Sequence, residues 1–262
     1  MKYILGVNKK SSNIAVTSEL GRYPLYFYII LSMLKYYHRL HNSTNMLLHN
    51  AYICCKELHN NNVNTWFSSI EYILNKLGIS TSCDLKTGIH SFTKWIKDKL
   101  YKNYLNFWRD HRNEIIQTEK GKLNTYFSLK TEFGFEKYLH LKDFKLRQVI
   151  CKIRISAHPL RIETDRYKKN YVNRTLRKCL YCNLNKIEDE IHFVTECPLY
   201  DTQRNDFFTE ISSKCKNFYN LDNSSKFVWL FTQENLDMCK SLGCYLCENL
   251  IIRRFSKILN TK

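Results

Sequence analysis

The sequence contains little glycine and proline for its length. Its 262 residues include only 7 Gly and 3 Pro, whereas β-sandwiches and β-barrels need many turn residues. At the same time, 44% of the residues are hydrophobic, which is enough for one large core or two modest ones. The composition therefore predicts a mainly α-helical, folded protein and disfavours turn-rich all-β folds.

Long apolar runs are also missing. The longest, from Leu25 to Leu34, is about half of the ~20 residues that a membrane-spanning helix needs. Residues 1–10 have neither the apolar core nor the cleavage site of a signal peptide. We therefore expect no membrane partner and an intracellular protein of the nucleus or cytoplasm. Because disulfides are rare inside the cell, we predict that the eleven cysteines are metal ligands and buried thiols.

Known catalytic patterns are absent from the sequence. It has no P-loop, no G-x-S-x-G and no H-E-x-x-H. The densest acidic run is Glu188-Asp189-Glu190, but consecutive carboxylates point in different directions, so we predict a solvated loop rather than a magnesium site. His158, beside Pro159, is predicted to be structural. The sequence thus predicts no enzyme activity on this chain alone.

Acidic residues are outnumbered by basic ones, and the imbalance is local. Lys and Arg number 41 against 24 Asp and Glu, a formal charge of +17. The basic arm, from His140 to Lys178, contains 12 Lys or Arg and three acidic residues, a net charge of +9. Such an arm can neutralise phosphates, and its tyrosines can stack on unpaired bases. The predicted RNA or DNA contacts are Arg166, Tyr167, Lys168, Lys169, Tyr171, Arg174, Arg177 and Lys178; the alternative is a solvated basic surface.

Directly after the arm comes a zinc-ligand pattern. Cys179, Cys182, His192 and Cys197 have the spacing C-x2-C-x9-H-x4-C. Four thiolate or imidazole ligands fill a tetrahedral zinc site and leave no position for an activated water, so we predict one structural Zn²⁺ per chain. Buried thiols are the alternative. Cys239, Cys244 and Cys247 lack a nearby His, and we expect them to act as small hydrophobic residues of a helix.

Hydrophobic periodicity predicts a helical bundle, then the small zinc-stapled subdomain, then a C-terminal helical segment. The predicted helices span residues 24–40, 46–58, 64–77, 91–116, 142–155, 198–215 and 234–259. Residues 121–129 are predicted to be extended. We divide the chain into a helical region (1–140), the basic arm with the zinc module (141–205) and C-terminal helices (206–262).

Three segments carry a resemblance to a known family. They are residues 3–25, with Gly21-Arg22-Tyr23-Pro24; residues 152–167, with His158-Pro159; and the zinc pattern through residue 204. In order and spacing they resemble the region after the polymerase domain in jockey-like non-LTR (LINE-type) retrotransposon reverse transcriptases.

The resemblance implies a protein that binds template RNA or target DNA, with the polymerase domain of a full-length element as a further partner. Neither polymerase nor endonuclease activity is implied, because no Ala-Asp-Asp motif occurs in the sequence. Met1 would be an internal start within a longer element. Three alternatives stay open: a zinc-stabilised protein-interaction module, a zinc-dependent enzyme, and a decayed element with no selected function.

Overall fold

A computed structural model describes residues 1–79, 87–118, 121–167 and 170–259. The described residues are mainly α-helical, which confirms the predicted fold class. Within these ranges there is no β-strand, and the only pairings of that kind are the isolated bridges of Leu20 with Phe135 and of Lys178 with Ile187. No helix in the same ranges is both long enough and apolar enough to cross a membrane.

Eleven α-helices follow one another along the described chain. They are α1 (Asn13–Glu19), α2 (Leu25–His41), α3 (Met46–Asn60), α4 (Trp66–Lys76), α5 (Ile89–Thr118), α6 (Asn124–Leu129), α7 (Phe144–Arg154), α8 (Arg161–Thr164), α9 (Asp201–Lys214), α10 (Asn223–Phe231) and α11 (Leu236–Leu259). Most match a predicted helix within a few residues. Residues 124–129, predicted to be extended, are instead helical, because Leu123, Tyr126 and Phe127 bury one face at i, i+3 and i+4.

The chain divides into two compact units. The central unit is Tyr23–His111, and the terminal unit combines Met1–Arg22 with Arg112–Lys262. The predicted divisions after residues 140 and 205 do not coincide with this boundary. Residues 1–22 belong with the C-terminal part because their side chains and carbonyls find partners there: Tyr126 donates to Ala15 O at 3.3 Å and Gln148 to Gly6 O at 2.9 Å.

The central unit is a helical bundle with an aromatic core. Its buried residues are Phe27, Leu34, Tyr37, Leu40, Tyr52, Phe67, Ile70, Leu74, Ile79, Phe92, Ile96 and Leu100. Helix α4 begins with a capping box between Thr65 and Ser68, and it is followed by Gly78 at φ +60°, the C-terminal cap that the sequence predicts. The capping box at the start, Gly78 at the end and the buried face of Phe67, Ile70 and Leu74 together fix the length of this helix.

The terminal unit is built around α11, against which α7 and α9 pack. A buried charge group links its N-terminal and C-terminal parts. Glu19, at 0% exposure, accepts from Arg154 Nε at 3.2 Å and from the Tyr138 hydroxyl at 2.6 Å, and Arg154 Nη2 lies 3.0 Å from Glu136 Oε2. Arg154 belongs to the basic arm, so part of the arm's charge is used inside the fold.

Candidate metal centre

The structure brings together the four side chains that the sequence assigns to one metal. The ligand atoms of Cys179, Cys182, His192 and Cys197 all lie within 4.8 Å of one another. Cys179 Sγ and Cys197 Sγ are 3.9 Å apart, and Cys182 Sγ lies 3.4 Å from His192 Nε2. Tetrahedral zinc, with its usual bond lengths, requires about 3.8 Å between two sulfurs and about 3.6 Å between sulfur and nitrogen. The cluster therefore has the dimensions to hold a metal ion.

Two local backbone features create this arrangement. The chain reverses between the first two cysteines and the histidine: Cys179 N donates to Lys186 O at 2.8 Å, Glu188 N donates to Arg177 O at 2.9 Å, and Asn185 turns at φ +56°. A π-helical turn over His192–Glu196 follows, closed by a 2.8 Å bond from Cys197 N to His192 O. The wide turn places His192 and Cys197 beside the two cysteines, in keeping with the use of π-turns at functional sites.

Hydrogen bonds within the cluster shift the pKa values of its ligands. The hydrogen bond between the Cys179 and Cys197 sulfurs lowers the pKa of Cys179 to about 4, and the same bond raises the pKa of Cys197. Burial opposes a charge on His192, but hydrogen bonds with Cys179 and Glu196 raise its pKa overall. Binding of a metal cation would require deprotonated thiols, so metal affinity at this cluster should depend on pH.

Glu196 orients the histidine ligand. His192 Nδ1 lies 3.3 Å from Glu196 Oε2, so an Nδ1 proton donated to this carboxylate leaves Nε2 free towards the cysteines. Lys186 Nζ at 3.0 Å and Asn223 Nδ2 at 3.1 Å hold the carboxylate in place. Metal-bound histidines commonly have such a carboxylate partner. Its spacing of four residues from His192 was visible in the sequence, but we did not assign it.

The acidic run Glu188-Asp189-Glu190 is not the solvated loop that the sequence predicts. Glu188 is 2% exposed and Glu190 3% exposed. Their side chains do point in different directions, but each meets a partner inside the unit. Asp189 accepts from the backbone N–H of His192 at 2.9 Å and so holds the metal-binding turn, while burial raises the pKa of its carboxyl. The prediction failed because the side-chain partners that bury Glu188 and Glu190 lie 65 and 32 residues away in sequence.

Glu190 forms a buried hydrogen-bonded group with His158. His158 Nε2 lies 2.8 Å from Glu190 Oε1, which also accepts from Ser156 Oγ at 2.8 Å. Burial would raise the pKa of Glu190, but these two partners hold it below the usual range. The predicted structural role of His158 fits this geometry, because the pair ties the segment after α7 to the zinc module, residues 179–197.

Glu188 ties the module to α11. Arg253 forms two parallel hydrogen bonds with it, Nε to Oε1 at 2.7 Å and Nη2 to Oε2 at 2.9 Å. The guanidinium carbon of Arg253 also lies 5.2 Å from the ring centre of Tyr181, inside the C-x2-C turn. Arg161 N donates to Glu188 at 2.9 Å as well. Sequence reasoning missed Arg253, since no local pattern links it to a carboxylate 65 residues earlier.

Only some of the basic side chains of the arm are exposed to solvent. Arg177, predicted to contact nucleic acid, is 2% exposed, and its guanidinium donates to Ile162 O at 2.8 Å and to Val172 O at 3.0 Å. This prediction is wrong, because backbone carbonyls occupy the donors that a phosphate would need. Arg166 is half-buried and lies 3.2 Å from Glu163.

The other side chains of the arm that are predicted to contact nucleic acid differ in their exposure to solvent. Tyr167, Tyr171 and Arg174 are exposed, and Lys178 is half-buried with its Nζ 2.7 Å from Asn185 Oδ1. Lys168 and Lys169 lie outside the described residues. The structure thus leaves two tyrosines and one arginine of this set directly available to a ligand.

The second cysteine group does not form a metal cluster. In the part of the chain that the structure describes, the zinc-module ligands are the one group of three or more His, Cys, Asp or Glu close enough to share an ion. Cys239 is 3% exposed within α11, and its thiol donates to Gln233 O at 3.3 Å, whereas Cys244 is exposed.

Comparisons were made with protein-family models, curated proteins and solved structures, and none of the three gives a match to this chain.

Proposed function

We propose that this chain is a non-catalytic, nucleic-acid-binding region of a LINE-type reverse transcriptase, stapled by one zinc ion, that contacts template RNA or target DNA. One observation carries the proposal. The carboxylates of the zinc module are turned inward to Arg253, His158 and the His192 backbone. The exposed arm residues beside the module therefore face solvent with few acidic neighbours to neutralise them.

Zinc is the ion that suits the ligands. Three thiolates and one imidazole are a soft set that zinc accepts in tetrahedral geometry, and oxygen-seeking Mg²⁺ or Ca²⁺ would not choose it. The four ligands complete the coordination, and Cys179, His192 and Cys197 are buried. The ion would hold the arm and α11 in place rather than perform chemistry.

The arm residues suit a phosphate backbone with unpaired bases. Arg174 is exposed, and the carboxyl on which its charge acts, that of Asp189, is half-buried. Tyr167 and Tyr171 are 66% and 71% exposed, so their rings are accessible for stacking on unpaired bases. Binding through such contacts weakens as salt rises, since each neutralised phosphate releases counterions.

The test compares a four-site variant with a matched control. The first variant replaces Lys168, Lys169, Arg174 and Lys178 by Ala and keeps the buried Arg177. Its control replaces Arg39, Lys56, Lys94 and Lys102, the same mix of three lysines and one arginine, all of them exposed in the central unit.

We expect wild type and control to bind labelled RNA or DNA with an affinity that falls steeply with salt, and the four-site variant to lose most of it while keeping its helicity and zinc. Equal binding by both variants, or salt-independent binding by the wild type, would contradict the proposal.

A second candidate, a protein-interaction module, is favoured by exposed apolar residues of the central unit. Leu25 is 70% exposed on α2, and Met46 and Leu47 are 78% and 80% exposed at the start of α3. On this view the zinc site only stabilises the fold. Unchanged nucleic-acid binding by the four-site variant would favour this second function over the first.

A further inference from the structure

A small open cavity of about 160 Å³ is lined in part by the basic arm; its accessible wall is mostly apolar, with a few charged and polar groups. Three separate parts of the terminal unit line it: the turn at Asn8, Lys10 and Ser11, then Lys122, and then several residues of the segment 156–167. Sequence spacing does not predict that residues near the N-terminus approach the arm, because they lie more than a hundred residues away from it.

The cavity wall carries more positive than negative charge. Glu163, 5% exposed, is its carboxylate, and it faces two cations: Lys122 Nζ at 3.4 Å and Arg166 Nη2 at 3.2 Å. Lys10 adds a third, exposed amino group. His158 also lines the cavity, and Glu190 already engages it. One carboxylate shared by two cations, with a further lysine nearby, favours an anionic ligand.

A serine hydroxyl also lines the cavity. Ser11 is 4% exposed as a residue, and its side chain belongs to the cavity wall, where the hydroxyl can donate to a ligand. A phosphate oxygen is a suitable acceptor for this hydroxyl and for the amino group of the neighbouring Lys10.

Tyr167 provides a stacking surface at the same place. Its ring lines the cavity and is 66% exposed, with Lys122 Nζ 5.7 Å from the ring centre. Aromatic rings beside cationic groups are the usual elements of sites for unpaired nucleotides, since every base has a flat face to stack.

We propose that this cavity binds one unpaired nucleotide, its phosphate at Lys10, Ser11 and Lys122 and its base stacked on Tyr167. The inference rests on the proposed nucleic-acid function and narrows it to single-stranded segments. The volume supports this arrangement, because ligand pockets that enclose a whole small molecule begin at about 300 Å³. A phosphate and part of its sugar fit inside, and the base stays outside against the ring. Bases within a duplex are stacked on each other and cannot use Tyr167.

The test measures the affinity of the full chain for a labelled oligouridylate and for an RNA duplex of the same length. The variants are Tyr167→Ala, Tyr167→Phe and the pair Lys10→Ala with Ser11→Ala. Tyr72→Ala is the matched control, because Tyr72 is 63% exposed and has Lys76 Nζ 5.6 Å from its ring centre, but belongs to the central unit.

We expect Tyr167→Ala to weaken oligouridylate binding by about fivefold to a hundredfold, the range that loss of one stacked base produces. Tyr167→Phe and Tyr72→Ala keep the affinity, the Lys10 and Ser11 pair weakens it, and duplex binding is unchanged by Tyr167→Ala. With 4-thiouridine in the oligonucleotide, crosslinking should map to Tyr167 or its cavity neighbours.

The other outcomes overturn the inference in distinguishable ways. If Tyr167→Ala leaves oligouridylate binding intact, or weakens duplex binding by the same factor, the cavity is not a nucleotide site, although the proposed function stands as long as the four-site variant loses binding. If the wild-type chain binds neither nucleic acid, both proposals fail together.

Discussion

Replacing Arg253 by Ala removes the ion pair that joins α11 to the zinc module. Its guanidinium and the Glu188 carboxylate are 10% and 2% exposed and form two hydrogen bonds of 2.7 and 2.9 Å. The substitution leaves Glu188 buried with only backbone donors near it. Removing one partner of a buried pair costs about 3–5 kcal/mol, because the remaining charge is left uncompensated. That is a large share of the 5–15 kcal/mol that typically stabilises a domain.

Hydrogen exchange measures this loss locally. The amides of Cys179 and Cys197 are bonded to Lys186 O and His192 O inside the zinc module. A loss of about 3–5 kcal/mol should speed their exchange by about a hundredfold to a few thousandfold wherever exchange requires the module to open. Arg253→Lys should fall between wild type and Ala, since a lysine keeps the charge but cannot form the paired bonds.

Arg254→Ala is the matched control, because Arg254 is the next residue of the same helix and is exposed. Its exchange rates should equal those of the wild type. The reasoning would be refuted by an Arg253→Ala protein whose module amides exchange as slowly as in the Arg254→Ala control. Such a result would mean that the metal ligands alone hold the module closed.

Three further predictions follow from single residues. Given the proposed single zinc ion, Cys182→Ser should lose the metal and unfold the module, whereas Cys244→Ser, at an exposed cysteine, keeps both; elemental analysis of both variants checks this, and a folded Cys182→Ser chain with full metal content would contradict it. Gly21→Ala should lower the free energy of unfolding by more than about 1 kcal/mol in urea titrations, because φ is +56° and the new Cβ would lie 2.6 Å from Phe135 N; an unchanged midpoint would refute this. Asp222 caps α10, and the Ser225 backbone N–H lowers its pKa. Its stabilisation is therefore complete above the unfolded pKa of about 3.9 and fades as pH falls through the lower folded value. An Asp222→Asn chain should lack that part of the pH dependence, and an identical acid profile would argue against it.

Features that depend on neighbouring residues were predictable. The helices α2, α4, α5 and α11 follow from apolar spacing and from caps such as Gly78, because a helix is set by contacts three and four residues apart. The metal cluster was predictable for the same reason. All four ligands lie within one short segment, and their residue types already define the chemistry.

Properties that depend on distant partners were not predictable. Arg177 has the charge of a phosphate contact, but carbonyls of Val172 and Ile162 take its donors in the folded chain. Glu188 and Glu190 have the composition of a solvated loop, yet Arg253 and His158 bury them. Burial of a charge is decided by whether another part of the chain supplies its partner, and sequence spacing does not contain that information.

The sequence by itself determined the helical class, the excess of positive charge and the four residues that could hold a metal ion, since each is a property of composition or of short-range spacing. Only the tertiary structure decided which cations are free and which are internal, and that Lys10, Ser11 and Lys122 share a cavity with Tyr167. This difference has a physical reason. Local order arises from neighbours in the chain, whereas a binding surface arises from segments that only folding brings together.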